Sequence, residues 1–108
     1  MGDGTAGFYL SELDTARRLG LKLTVIIAND LRWGAEVVIQ ERLYGEGRVQ
    51  GCQLDENTRY DQIAKGFGAN GIFTESLEQF ENGLAKALRS RKPTVINAMI
   101  KGLPAPSF

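Results

Sequence analysis

The chain contains no histidine. That absence removes Ser-His-Asp and Cys-His nucleophilic catalysis, histidine-rich zinc sites and the commonest general base. Cysteine is nearly absent too. The lone Cys52 cannot close an internal disulfide and lies at no metal-ligand spacing, so it is read as a packing residue. Net charge is missing, because 13 Lys plus Arg are matched by 13 Asp plus Glu. Such balance gives no electrostatic reason to expect nucleic acid or an anionic membrane as partner. No apolar run reaches 18 residues and no signal-peptide pattern occurs, which makes a cytoplasmic setting the expectation. Any chemistry must therefore rest on carboxylates, a hard metal ion or a cofactor.

What is present suits one compact domain: 108 residues, 43% apolar and 24% charged. Helical and strand patterns alternate, which argues for α/β layers around parallel strands. Residues Phe8 to Leu19 read as a helix, with Tyr9, Leu13, Ala16 and Gly20 on one stripe. Its acids, Glu12 and Asp14, come early and its bases, Arg17 and Arg18, come late, as the helix dipole favours, and Gly20 is a suitable stop. Leu23 to Ala28 (LTVIIA) is a β-branched run of the kind buried on both faces of a parallel sheet. A turn, Asn29 to Arg32, leads to a second helix from about Gly34 to Leu43. Gly45, Gly47 and Gly51 make residues 44–58 a long loop. Tyr60 to Phe67 is a short helix and Gly71 to Thr74 a short strand. Ser76 to Gln79 forms a capping box, opening a helix that carries Leu77, Phe80, Leu84, Ala87 and Leu88 and ends before Pro93. Thr94 to Ile100 is the last strand, and residues 102–108 are expected as an extended surface tail. The expected fold is α/β, a partial Rossmann-like parallel sheet of about three strands with flanking helices.

One constellation carries chemistry: Gly2-Asp3-Gly4 and Asn29-Asp30, whose aspartates stand 27 positions apart. A helix of about 12 residues travels ~18 Å at 1.5 Å per residue. A strand of about six residues returns ~20 Å. The legs nearly cancel, so both aspartates should reach the carboxyl edge of the sheet, where open α/β folds bind ligands. The glycines flanking Asp3 let a phosphate approach the backbone, and the following helix turns free N–H groups toward it. Two carboxylates held together need a cation. Mg²⁺ fits best, since it binds one or two protein carboxylates together with substrate phosphates; without histidine or a suitable cysteine, zinc is disfavoured. The bland alternative is that Asp3 and Asp30 merely cap adjacent helices. Trp33 is equally readable as a core residue or a cofactor contact. Glu12, Arg48, Arg59 and Arg91 read as solvated surface, and Phe67, Phe73 and Phe80 as core.

The Gly-Asp-Gly, the 24 residues after it and the Asn29-Asp30 pair resemble the thiamine-diphosphate signature of the acetolactate synthase and pyruvate decarboxylase superfamily. The resemblance runs through nearly the whole chain. Glu12-Leu-Asp-Thr15, Trp33-Gly34-Ala35, Arg48, Leu54, Tyr60 and Phe67-Gly-Ala69 look most like the C-terminal cofactor domain of benzaldehyde lyase and its carboligase relatives. It implies that Asp3 and Asp30 ligate Mg²⁺ by their carboxylates and Arg32 by its backbone carbonyl. Gly2, Gly4 and Thr5 would border the diphosphate, with Gly4 and Thr5 bonding it. Asn29 opens the pair, and Trp33, Gly34 and Ala35 would pass beside the cofactor, Ala35 nearest the substrate. One departure stands out: the family usually has Asn where this chain has Asp30.

In enzymes of this kind a glutamate from a separate pyrimidine-binding domain, usually a partner subunit's, triggers the cofactor. That domain is not in this sequence, nor is the strand expected to feed Gly2. The chain therefore looks like a fragment holding half a site over residues 1–108, expected to self-associate through the edge of LTVIIA. Carboligase or lyase chemistry is the first expectation and 2-oxo acid decarboxylation the second. Two alternatives stand beside them, a non-catalytic Mg²⁺/phosphate or association module and a flavodoxin- or receiver-like domain.

Overall fold

A computed structural model describes residues 1–103. Three parallel strands form one sheet in the order β1-β3-β2: β1 Thr24–Asn29, β2 Asn70–Thr74 and β3 Thr94–Met99. Five helices surround them: α1 Asp3–Tyr9, α2 Glu12–Arg18, α3 Gly34–Tyr44, α4 Tyr60–Gly66 and α5 Leu77–Arg89. The expected α/β parallel sheet of three strands is thus present. Of the expected tail, only Gly102 and Leu103 are described; residues 104–108 lie outside the described residues.

The sheet has a core on each face. Ala6, Leu10, Leu13, Ile27, Tyr60, Ala64, Ala69 and Val95 form one cluster, under α1 and α4. Ala87, Ile96 and Ala98, with Ile72, Phe80 and Leu84 packed on them, form the other, under α5. The alternation follows strand geometry, in which successive side chains of β3 point to opposite faces. Glycine permits the closest approach on the first face. A β-carbon at Gly71 would sit 1.9 Å from the Asp61 carbonyl, so α4 lies directly on β2 there.

Three expectations need correction. The single helix from Phe8 is two helices, beginning at Asp3 and broken at Leu10–Ser11, where Leu13 N–H bonds to the Leu10 carbonyl at 3.0 Å in a tighter turn. That break rephases the apolar stripe, so Ala6, Leu10, Leu13 and Ala16 are buried while Tyr9 is 59% exposed. The LTVIIA strand is not buried on both faces either, since Ile26 is 37% exposed. The central strand is β3, buried from Thr94 to Ala98, whereas β1 is at the edge and α5 packs chiefly on β2 and β3. Arg59 is not simply solvated. It makes two bonds, 2.8 and 2.9 Å, to the buried Asp61 carboxylate, and its guanidinium stacks 4.0 Å above the half-buried Phe73 ring.

Other local signals act as their chemistry requires. Gly20 follows α2 at φ 64°, the left-handed conformation a helix stop uses. Ser76 Oγ accepts the Gln79 N–H at 3.2 Å, while the Gln79 side chain returns to the Glu75 N–H at 2.9 Å instead of that of Ser76. Cys52 is buried, as a packing residue should be.

Candidate cofactor and metal site

The site is built where two chain segments run side by side. Gly2 pairs with Ala28 in a parallel bridge, and the Ala28 N–H bonds to the Met1 carbonyl at 2.9 Å. The residues that follow, Asp3 and Asn29-Asp30, therefore emerge together at the carboxyl edge of the sheet. The loop-helix-strand excursion returns to its start, despite the helix break.

Asp3 is 2% exposed, in the first turn of α1. Its Oδ1 accepts the Gly4 N–H at 3.0 Å and its Oδ2 accepts the Arg32 N–H at 3.2 Å. Asp30 Oδ2 accepts Arg32 Nε at 3.0 Å. Arg32 thus touches both carboxylates, one through its backbone and the other through its guanidinium. Burial pushes the Asp3 carboxyl above the usual carboxylate range; the Gly4 N–H opposes this, and the Asp30 charge adds to it. Burial raises the Tyr60 hydroxyl, and the Asp3 charge adds to that. A helix-capping role does not describe Asp3: the cap position of α1 is Gly2, with no side-chain bond.

The intervening turn is distorted. Leu31 has φ 61°, the left-handed region in which a branched apolar residue is strained. Asn29 Oδ1 accepts the Leu31 N–H at 3.0 Å. On its other side the turn is strapped to the long loop. Leu31 O accepts Leu54 N–H at 2.8 Å and Gln53 Nε2 at 2.9 Å, and Trp33 N–H bonds to the Cys52 carbonyl at 2.8 Å. The glycines of that loop signalled irregularity, but not that it would brace the site.

A cavity of about 280 Å³ opens over these groups, near the lower end of the usual ligand-pocket range. Gly2, Asp3, Gly4, Thr5, Asp30, Arg32, Trp33, Gly34 and Ala35 line it, joined by Ala28, Ile100 and Leu103. Nine of the ten residues expected at the site therefore meet in one place. The tenth, Asn29, is 1% exposed and lies beneath the cavity, its amide engaged with Leu31 and Asn97. Sequence reasoning missed Ile100 and Leu103, because their approach depends on β3 lying beside β1. The Trp33 indole covers Gly4: a β-carbon there would sit 2.7 Å from the ring. Its other neighbour is the Phe8 ring, 5.5 Å away between centroids.

The donor set suits Mg²⁺, which takes oxygen ligands: two carboxylates, and an Arg32 carbonyl that accepts no backbone hydrogen bond among the described residues. Among those residues no group of three or more His, Cys, Asp or Glu gathers to hold a metal, so the side-chain ligands here are the two carboxylates alone.

A parallel sheet with paired acids and glycines at its carboxyl edge is an α/β domain with a candidate site where open sheets of this class bind ligands. Residues 1–98 match the family described as thiamine pyrophosphate enzyme, C-terminal TPP binding domain, and the chain belongs to that family. Among its relatives, 2-hydroxyacyl-CoA lyase of Saccharomyces cerevisiae is 29% identical, over 93% of this chain and 18% of the relative. Oxalyl-CoA decarboxylase of Escherichia coli is 31% identical, over 92% and 17%. Sulfopyruvate decarboxylase subunit beta of Methanocaldococcus jannaschii is 34% identical, over 90% and 46%. The chain therefore spans under a fifth of the first two and under half of the third. Benzoylformate decarboxylase from Polynucleobacter necessarius shares the fold, with TM-score 0.84 and 20% identity over 99% of this chain and 20% of its own. Membership sets aside the flavodoxin- or receiver-like alternative. No described helix is long and apolar enough to cross a membrane.

Proposed function

We propose that this chain anchors the diphosphate of thiamine diphosphate through Mg²⁺, as the cofactor half of an enzyme that makes or breaks carbon–carbon bonds beside a carbonyl. The observation that carries this is the meeting of Asp3 and Asp30 over one cavity, both bonded to Arg32. Asp3 and Asp30 would ligate the cation by their carboxylates, with the Arg32 carbonyl as third protein ligand. The Arg32 guanidinium holds only Oδ2 of Asp30, which would leave Oδ1 for the ion. Gly4 and Thr5 would border the diphosphate, Gly2 and Asn29 would hold the two strand ends together, and Trp33, Gly34 and Ala35 would flank the cofactor, Ala35 toward substrate. When bound, thiamine diphosphate supplies a nucleophilic carbon and an electron sink for a substrate carbonyl. Carboligase or lyase chemistry is the first reading. Decarboxylation is the second, favoured by the names of the Escherichia coli and Methanocaldococcus relatives.

The half-site reading extends to the whole of residues 1–108 as one cofactor domain in a cytoplasmic enzyme. A complementary pyrimidine-binding domain, in the same assembly or in a homo-oligomer, would complete the active site. Two features support an association surface. Helix α3 has no buried residue and exposes Val38, Ile39, Leu43 and Tyr44. The outer edge of β1 is met, among the described residues, only by Met1 and Gly2. The Methanocaldococcus relative, a named subunit, is consistent with a cofactor half supplied on its own polypeptide.

Calorimetric titration with thiamine diphosphate, with and without Mg²⁺, tests the reading. Binding that requires Mg²⁺ is expected. Binding indifferent to the metal, or none, would remove the proposed role of the aspartates. Turnover by the isolated chain would overturn the half-site.

A further inference from the structure

We infer that Asn97, outside the cavity, is a positioning residue for the turn that presents Asp30 and Arg32. The inference rests on the metal-and-diphosphate reading of that turn. Asn97 lies on the central strand β3, in register with Ile27 of β1 and Phe73 of β2, and is fully buried. An amide there is costly in a position where an apolar side chain would pack, so its polar atoms need an explanation.

The explanation is a relay. Asn97 Oδ1 accepts Asn29 Nδ2 at 3.1 Å, and Asn29 Oδ1 accepts the Leu31 N–H at 3.0 Å. An asparagine amide has one donor end and one acceptor end. With its Nδ2 held by Asn97, Asn29 can present only its oxygen to the turn, which is the end an N–H requires. Asn97 therefore sets the amide orientation that holds Leu31 in its left-handed conformation, at φ 61°. The Leu31 side chain has no polar atom with which to stabilise that conformation, and the Leu54 and Gln53 bonds engage only its carbonyl. Because Leu31 sits between Asp30 and Arg32, its backbone angles decide whether both face Asp3.

The Asn97 side chain makes its hydrogen bond to Asn29. Its Nδ2 completes no hydrogen bond of ordinary geometry among the described residues. It nevertheless acts on Asp61. Burial pushes that carboxyl up, but the Arg59 guanidinium, and after it the Asn97 amide, hold it below the usual range.

The test uses the full chain and two readouts. In the ligand-free protein, exchange of the Leu31 amide proton by NMR reports the relay whether or not cofactor binds. Calorimetry with thiamine diphosphate and Mg²⁺ reports its consequence. Asn97→Ala should speed Leu31 exchange and weaken binding about tenfold, the scale of one buried hydrogen bond. Leu31→Gly should restore most of that affinity in the Asn97→Ala background, since glycine adopts the left-handed conformation unaided. Unchanged Leu31 exchange, or no rescue by glycine, would overturn the relay. If Asn97→Ala does not fold, Asn97→Ser and Asn29→Ala must each reproduce the faster exchange, and failure of both overturns it equally. Should the wild-type chain bind no cofactor, the functional reading fails while the Leu31 amide still decides the relay.

Discussion

Replacing Gly4 by alanine tests the contact that closes one wall of the cavity. The added carbon would stand 2.7, 2.8 and 2.9 Å from three atoms of the Trp33 ring. Ordinary carbon contacts lie near 3.5–4.0 Å, so the indole must retreat by about 1 Å. It cannot do so freely. The Trp33 main chain is fixed, its amide N–H bonded to the Cys52 carbonyl at 2.8 Å and its carbonyl accepting Val37 N–H at 3.0 Å, and Phe8 stands beside the ring. Overpacking of this kind costs about 1–3 kcal/mol. Alanine in place of glycine within a helix returns about 1 kcal/mol. The net loss is about 1 kcal/mol, or about 5 °C in melting temperature. Gly7→Ala is the matched control, because it lies in the same helix with nothing within 4 Å of its would-be β-carbon. It should gain about 1 kcal/mol. Thermal denaturation should therefore separate the two variants by about 10 °C. Because Trp33 leads directly into Gly34, which faces Asp30, Gly4→Ala should also weaken Mg²⁺-dependent cofactor binding about tenfold, a loss of about 1.4 kcal/mol, while Gly7→Ala leaves it unchanged. Equal stability and equal affinity of the two variants would refute the packing argument.

Three other expectations follow from the same geometry. Asp30→Asn keeps an oxygen ligand and removes a negative charge near the diphosphate, so cofactor binding with Mg²⁺ should persist or tighten in calorimetry; complete loss would contradict the role of Asp30. Asp3 has a raised pKa in the folded chain, so the stability it contributes is full below about pH 4 and is lost as pH rises through its folded value. Asp61 is lowered instead, so its contribution is already complete above about pH 4, which leaves Asp3 the clearer signal in that window. The melting temperature of the metal-free chain should thus fall across that window relative to Asp3→Asn, and Mg²⁺ should reduce the difference; a parallel pH dependence of the two proteins would contradict it. Finally, sedimentation at high concentration should show self-association through β1 and α3, and a strictly monomeric species would remove that proposal.

Much of the site was visible in the linear order of residues because its determinants are local. Gly2-Asp3-Gly4 and Asn29-Asp30 are short segments whose residue types state their chemistry, and the near-cancelling lengths of a helix and a strand bring them together without knowledge of the rest. The misplaced features turned on contacts that residue type and periodicity do not announce. The helix break at Leu10 re-aimed a stripe that periodicity alone placed through Tyr9. Ile26 reads as core in any hydrophobicity pattern, yet lies at an edge because β3 takes the centre. Arg59 looked like surface charge until α4 placed Asp61 beside it and β2 set Phe73 beneath it.

Residue chemistry by itself determined the parallel α/β character and the two acidic ends of the site, and the same short motifs carried the family resemblance. Only the tertiary structure decided that Arg32 joins both aspartates, that the glycine-rich loop braces Leu31, and that Asn97, on another strand, supports Asn29. Those contacts link positions tens of residues apart, and nothing in the intervening sequence encodes which way a buried amide will face.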